Sequence, residues 1–255
     1  MTETWRLIDM RIDDAPTQMA IDESIAINRL REGNPNTIRL YRWRPSAVSI
    51  GYFQSLEKEV NLEACKELGV DVIRRITGGG AVFHDYNGEI TYSLVAPESD
   101  SKMPRDIMAS YQVICGAIVK GLRKLGVDAE FKAINDITAG GKKISGNAQT
   151  RRHGVILQHG TVLVDSDIRT MFQVLKVSEA KISDKMIKAV EERVTNIRRY
   201  LGKEVPFNEA RDALVSGFEK EFNVTLEPGQ LTADEERTVE TLKAKYGSLE
   251  WVSQR

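Results

Sequence analysis

Cysteine is scarce in this 255-residue chain, which has two, Cys65 and Cys115. Two thiols cannot build a disulfide framework, so a reducing, cytoplasmic compartment is expected. No apolar run approaches the roughly 18 residues that a membrane helix needs. The first residues, through Trp5, lack the charged-then-apolar pattern of a signal peptide. Neither sign of charge dominates: 36 basic and 37 acidic residues leave a net −1, which argues against a general nucleic-acid binder. The histidines are His84, His153 and His159, and no two have metal-ligand spacing, so zinc is not expected. With 7 prolines and 19 glycines the chain is neither collagen-like nor low-complexity, and 41% hydrophobic residues suit a packed core.

Short apolar runs alternate with helical periodicity. Strands are expected at Trp5 to Asp9, Thr37 to Arg42, Ala47 to Ile50, Val70 to Ile73, Ile90 to Val95 and Val155 to Val164. Pro16 opens a helix to about Arg31, and Asn61 caps another that Gly69 ends. Pro104 starts the clearest helix, in which Ile107, Tyr111, Ile114, Ile118, Leu122 and Leu125 recur at steps of three and four. Ile134 to Thr138 and Lys142 to Ser145 read as a hairpin joined by Ala139-Gly140-Gly141. From Asp167 onward helices are expected, including one marked by Ala210, Leu214, Phe218 and Phe222; a charged helix, Thr232 to Tyr246, is placed at the domain edge. No linker divides the chain, so residues 1–255 read as one α+β domain of mixed β-sheets flanked by helices.

Two stretches carry potential chemistry. Arg74-Arg75-Ile76-Thr77-Gly78-Gly79-Gly80-Ala81-Val82-Phe83-His84-Asp85 combines two arginines with three glycines, a backbone that can close on an anion. It lacks the Gly-Lys-Ser/Thr of a phosphate-binding P-loop and, with Phe83 at the third glycine position, the dinucleotide fingerprint. A plain tight turn with exposed arginines would look the same. In the second, Asn135-Asp136 through Lys143-Ile144-Ser145-Gly146-Asn147-Ala148, regular alternation puts Lys143 and Ser145 on one face. Asp136 on the partner strand could then face an inward lysine or hold a metal ion, the alternative being a solvated hairpin. Cys65 and Cys115 read as buried apolar positions, and no Gly-x-Ser-x-Gly presents a nucleophile.

Together these stretches, with Ser49-Ile50-Gly51-Tyr52-Phe53-Gln54, Gln158-His159-Gly160-Thr161 and Arg193-Val194-Thr195-Asn196, resemble the lipoate–protein ligase family. The resemblance runs from about Trp5 to Trp251 and implies a biotin/lipoate ligase-like catalytic fold. It implies ATP- and Mg²⁺-dependent conversion of lipoate to lipoyl-AMP, then transfer to a lysine of an acceptor lipoyl domain, such as a 2-oxoacid dehydrogenase E2 or a glycine cleavage H-type protein. By the same resemblance Arg75, Gly80, Ala81, Val82, Phe83, Asn135, Asp136 and Lys143 contact the nucleotide, and Lys143 is catalytic. Tyr41, Arg75, Gly79, His84, Gly146, Ala148 and His159 shape the lipoyl pocket, and Asp136 is the candidate Mg²⁺ ligand. Family ligases carry a further C-terminal accessory domain, and the chain ends near where that would begin, so a separate accessory subunit is expected. Octanoyl transferases of the same superfamily are the competing reading. Those most like this chain use a cysteine before the Lys-x-Ser/Ala-Gly motif, and no cysteine follows Cys115, so ligation is favoured. A non-catalytic lipoyl-binding scaffold is a further alternative, and nucleic acid and membrane partners are not expected.

Overall fold

The computed structural model describes residues 2–31, 33–176 and 192–254. The chain begins with β1 (Glu3–Asp13), α1 (Ala15–Asn28), β2 (Thr37–Trp43), β3 (Ala47–Ile50), α2 (Leu56–Glu59) and α3 (Leu62–Leu68). It continues through β4 (Asp71–Arg74), β5 (Val82–His84), β6 (Glu89–Pro97), α4 (Ile107–Lys124), β7 (Ala129–Lys132), β8 (Asp136–Ala139), β9 (Lys142–Arg152) and β10 (Val155–Leu163). Then come α5 (Ile168–Val174), α6 (Ile197–Leu201), α7 (Phe207–Phe222), β11 (Val224–Pro228), α8 (Ala233–Tyr246) and α9 (Leu249–Ser253).

Eight strands form a mixed sheet in the order β11-β1-β2-β6-β10-β9-β8-β7, and β4-β3-β5 form a second, smaller one. Helices α4 and α7 cover one face of the large sheet, with Ile114, Ile118, Leu122, Leu214 and Phe218 in a shared core. They approach closely where a Cβ at Gly217 would lie 2.2 Å from the Ala117 carbonyl oxygen, so that position admits only glycine. The opposite face is covered by α1 and α8. The fold class agrees with the α+β expectation: mixed sheets flanked by helices.

Several elements differ from expectation. Helix α1 starts at Ala15 because the Asp14 carboxylate caps the Thr17 amide, and it ends at Asn28, leaving Leu30 outside it and exposed. Helix α4 starts at Ile107, capped by Asp106 rather than opened by Pro104, and Ile107 points to solvent. The carboxy-terminal third is not purely helical, since β11 adds to the large sheet parallel to β1. Helix α8 is not peripheral either: its buried Glu235 accepts 2.6 and 2.7 Å hydrogen bonds from Arg6 of β1. The part of the expected helical region at 177–191 lies outside the described residues.

Candidate active site

The site forms where the two sheets meet. On the small sheet, Ser49 pairs with Val82 and Ala47 with His84, so these four side chains share one face while Val48 and Phe83 share the other. From the first face Ser49, Val82 and His84 line a cleft with Arg75, Gly79, Gly80, Tyr41, Trp43, Asn135, Lys143, Gly146, Ala148 and His159. Phe83 packs on the far side with Val48 and Ile50, so its ring is not available to stack on a ligand in the cleft, and only its backbone is left for the expected contact. The cause is strand alternation, which gives the pocket Val82 and His84 and withholds the residue between them.

The glycine loop is shaped by close backbone approach. A Cβ at Gly51 would lie 2.1 Å from the Gly79 carbonyl oxygen, and Gly79 sits at φ +97°, so both positions need glycine. The Arg75 side chain closes the loop from beneath. Its Nη2 donates to the carbonyls of Gly78 (2.9 Å) and Gly80 (2.7 Å), and its Nη1 donates to the Ser49 carbonyl (2.9 Å) and hydroxyl (3.1 Å). All of these acceptors are neutral, and among the described residues no carboxylate pairs with this guanidinium. Burial therefore pushes Arg75 down to about 10, still cationic near neutrality. A buried cation without a counter-charge favours binding of an anion or a polarised carbonyl.

Behind it, Asp22 of α1 is the hub of a buried network. It pairs with Arg39 and accepts hydrogen bonds from Ser93 (2.7 Å), Tyr41 (3.1 Å) and His159 Nδ1 (3.1 Å). Burial alone would raise the Asp22 carboxyl, but the charge of Arg39 and the bonds from His159 and Ser93 hold it below its ordinary value. Burial lowers His159 despite Asp22, so His159 is a neutral ring with Nδ1–H on Asp22 and Nε2 accepting from Thr77 at 2.7 Å. Asp22 was not among the expected site residues. Its helix carries buried Gln18, Asp22, Ser24 and Asn28 alongside its apolar residues, a pattern that reads in sequence as a solvated face.

At the opposite wall, the turn Gly140-Gly141 has φ +56° and +74° and closes the expected hairpin, but the pairing is not regular. Ile137 pairs with Ser145 and Thr138 with Lys143, so Ile144 is the extra residue of a β-bulge. Ile144 and Ser145 are buried, whereas Lys143 turns to the cleft, and the expected shared face of Lys143 and Ser145 is corrected. The bulge instead places Lys143 beside Gly146, where an added Cβ would lie 2.9 Å from both Cε and Nζ. Residues 193–195 clamp this strand: Lys143 N–H donates to Arg193 O (2.7 Å), and Thr195 N–H donates to Lys143 O (2.8 Å). Lys143 Nζ is 2.6 Å from Asp136 Oδ1. Asn135 bonds the Asn147 carbonyl through its amide at 2.5 Å, and Asn147 returns a 2.8 Å bond to the Asn135 carbonyl. Asp136 thus orients the lysine. Among the described residues no group of three His, Cys, Asp or Glu could hold a metal ion.

Neither cysteine reaches the cleft. Cys115 is buried in the α4 core with its thiol pushed up to about 12, and burial pushes Cys65 up to about 11.

Residues 14–219 match the family of lipoyl protein ligase A/B catalytic domains. The chain is 40% identical over 271 residues to an octanoyltransferase LipM of Kyrpidia tusciae, with 98% of each covered. It is 34% identical to octanoyltransferase LipM of Bacillus subtilis, again with 98% of each covered. Among solved structures it resembles the bipartite lipoate protein ligase of Thermoplasma acidophilum, at 34% identity, a TM-score of 0.88 and coverage of 98% of this chain and 96% of that one. The lipoate-ligase-like fold is thus established, and the expected ATP-dependent ligase activity is overturned by the end-to-end relatives named octanoyltransferases. With it goes the support for ATP and Mg²⁺. The missing thiol misdirected the expectation, because cysteine is one of several side chains that can carry an acyl group.

Proposed function

Because the chain belongs to the lipoyl protein ligase A/B catalytic domain family, we propose that it is an acyltransferase. It moves an octanoyl group from a carrier-protein thioester to the ε-amine of a lysine on an acceptor lipoyl domain. The observation that carries this reading is the cleft itself: it has an apolar wall of Met19, Tyr41 and Trp43, the Arg75 guanidinium beneath a glycine loop, and the Lys143 ammonium opposite.

The apolar wall accepts the alkyl chain, whose burial is worth roughly 0.8 kcal/mol per methylene. The thioester carbonyl then lies toward Lys143. As nucleophile addition puts negative charge on the carbonyl oxygen, the ammonium stabilises that charge more in the transition state than in the ground state. Asp136, 2.6 Å from Nζ, keeps the long side chain in the reactive orientation. The acceptor lysine enters from the open side, gains the acyl group, and the carrier leaves as a thiol. No step of this reading calls on an accessory subunit.

The test uses octanoylated carrier protein and an acceptor lipoyl domain without nucleotide. A domain heavier by one octanoyl group, and no gain when its lysine is replaced by arginine, is the expected result. Product formed only when free acid and ATP are supplied would overturn the proposal.

A further inference from the structure

A second set of buried, hydrogen-bonded groups meets at the cleft. Ser49 Oγ lies 2.8 Å from His84 Nε2, and His84 Nδ1 lies 2.8 Å from Glu89 Oε1. Both Ser49 and His84 line the cleft. The His84 ring is fixed by stacking on Trp43, with ring centroids 4.2 Å apart. Glu89 is fixed by a 2.5 Å bond from Thr91, which in turn accepts a 2.7 Å bond from Trp43 Nε1. Its other oxygen, Oε2, is buried and meets no donor among the described residues. A carboxylate so placed has charge left to stabilise an imidazolium at His84. Arg75 Nη1, 3.1 Å from Ser49 Oγ, adds a cation where an alkoxide would develop.

We propose that Ser49 is the acyl-accepting nucleophile of a Ser49–His84–Glu89 triad and takes the place of the thiol that the cleft lacks. The inference rests on the acyl-transfer reading above. In the first half-reaction Ser49 Oγ attacks the thioester carbonyl while its proton moves to His84 Nε2. The C–S bond breaks, and that proton leaves with the carrier as its thiol. In the second, the acceptor amine attacks the serine ester and loses a proton to His84. The C–O bond then breaks, the proton returns to Ser49, and an amide remains. Atoms and charge balance without a further reactant.

The parallel array Thr77–His159–Asp22 has similar spacing, and both hydroxyls accept an Arg75 N–H at 3.1 Å, but Thr77 does not line the cleft. Access therefore singles out Ser49. Glu89 is a positioning residue in this scheme, because it acts through His84.

The test is single-turnover acylation of the full chain with octanoyl-carrier protein and no acceptor. The expected product carries one octanoyl group, maps to Ser49 by peptide mass, and resists neutral hydroxylamine as an oxygen ester does. Ser49→Ala should lose the adduct and slow transfer by about 10²-fold or more. Ser49→Cys, nearly isosteric, should form an adduct that hydroxylamine removes. Glu89→Gln should lower the acylation rate without changing KM or the site of acylation. Undiminished transfer by Ser49→Ala, or an adduct on Cys115 or Cys65, would overturn the triad while leaving the transferase reading intact. A native chain that never transfers from the thioester overturns that reading, and this inference with it.

Discussion

Two ion pairs flank the cleft, and their surroundings are opposite. Arg39–Asp22 is sealed, with side chains 0% and 2% exposed, while Lys143–Asp136 is open, at 43% and 37%. A sealed pair cannot be halved cheaply, because the surviving charge stays buried. An open pair contributes at most about 1 kcal/mol to stability, so the geometry of Lys143 serves something other than the fold. The comparison separates what builds the cleft from what acts in it.

The sharpest way to break that division is to remove one member of each pair. Asp22→Ala leaves Arg39 buried and uncompensated and also strips Tyr41, Ser93 and His159 of their shared acceptor, so it should cost about 3–5 kcal/mol of stability in urea denaturation. Lys143→Ala should leave the urea midpoint nearly unchanged and slow acyl transfer by about 10²–10³-fold. Equal stability losses in the two variants would refute the division. Gly146→Ala tests placement alone, since its Cβ would intrude within 2.9 Å of the Lys143 ammonium. About tenfold slower transfer with the fold retained is expected, and an unaltered rate would show that Lys143 need not sit where it does.

The smallest expected effect concerns pH. His159 is held neutral below its ordinary value, so the unfolded chain binds a proton first as pH falls below about 6.5. The stability from its neutral state is full above that value and declines below it; Asp22, also depressed, adds its own loss at lower pH, below about 3.9. Thermal melts at pH 7 and 5 should differ less in His159→Gln than in the native protein.

The same contrast explains what the sequence revealed. Lys143 was singled out by the family resemblance alone, whereas the glycine turn at 140–141 and the triple-glycine loop were legible because each has a local conformational signature. Most strands were placed for the same reason. The bulge at Ile144 was not, since an extra residue leaves no local mark and shows only in the register against β8. Asp22 and Glu89 were missed because a buried carboxylate on a helix or strand is spelled like a solvated one. Their partners, Arg39 and His84, are supplied by neighbouring strands. The activity was misjudged on a cysteine count, although side chains other than a thiol can carry an acyl group.

The most direct test of the account is a ratio measured on one preparation with one acceptor domain. The rate of octanoylation from carrier thioester without nucleotide is divided by the rate from free octanoate with ATP and Mg²⁺. The account predicts a ratio far above one, abolished by Lys143→Ala; a ratio below one would contradict it.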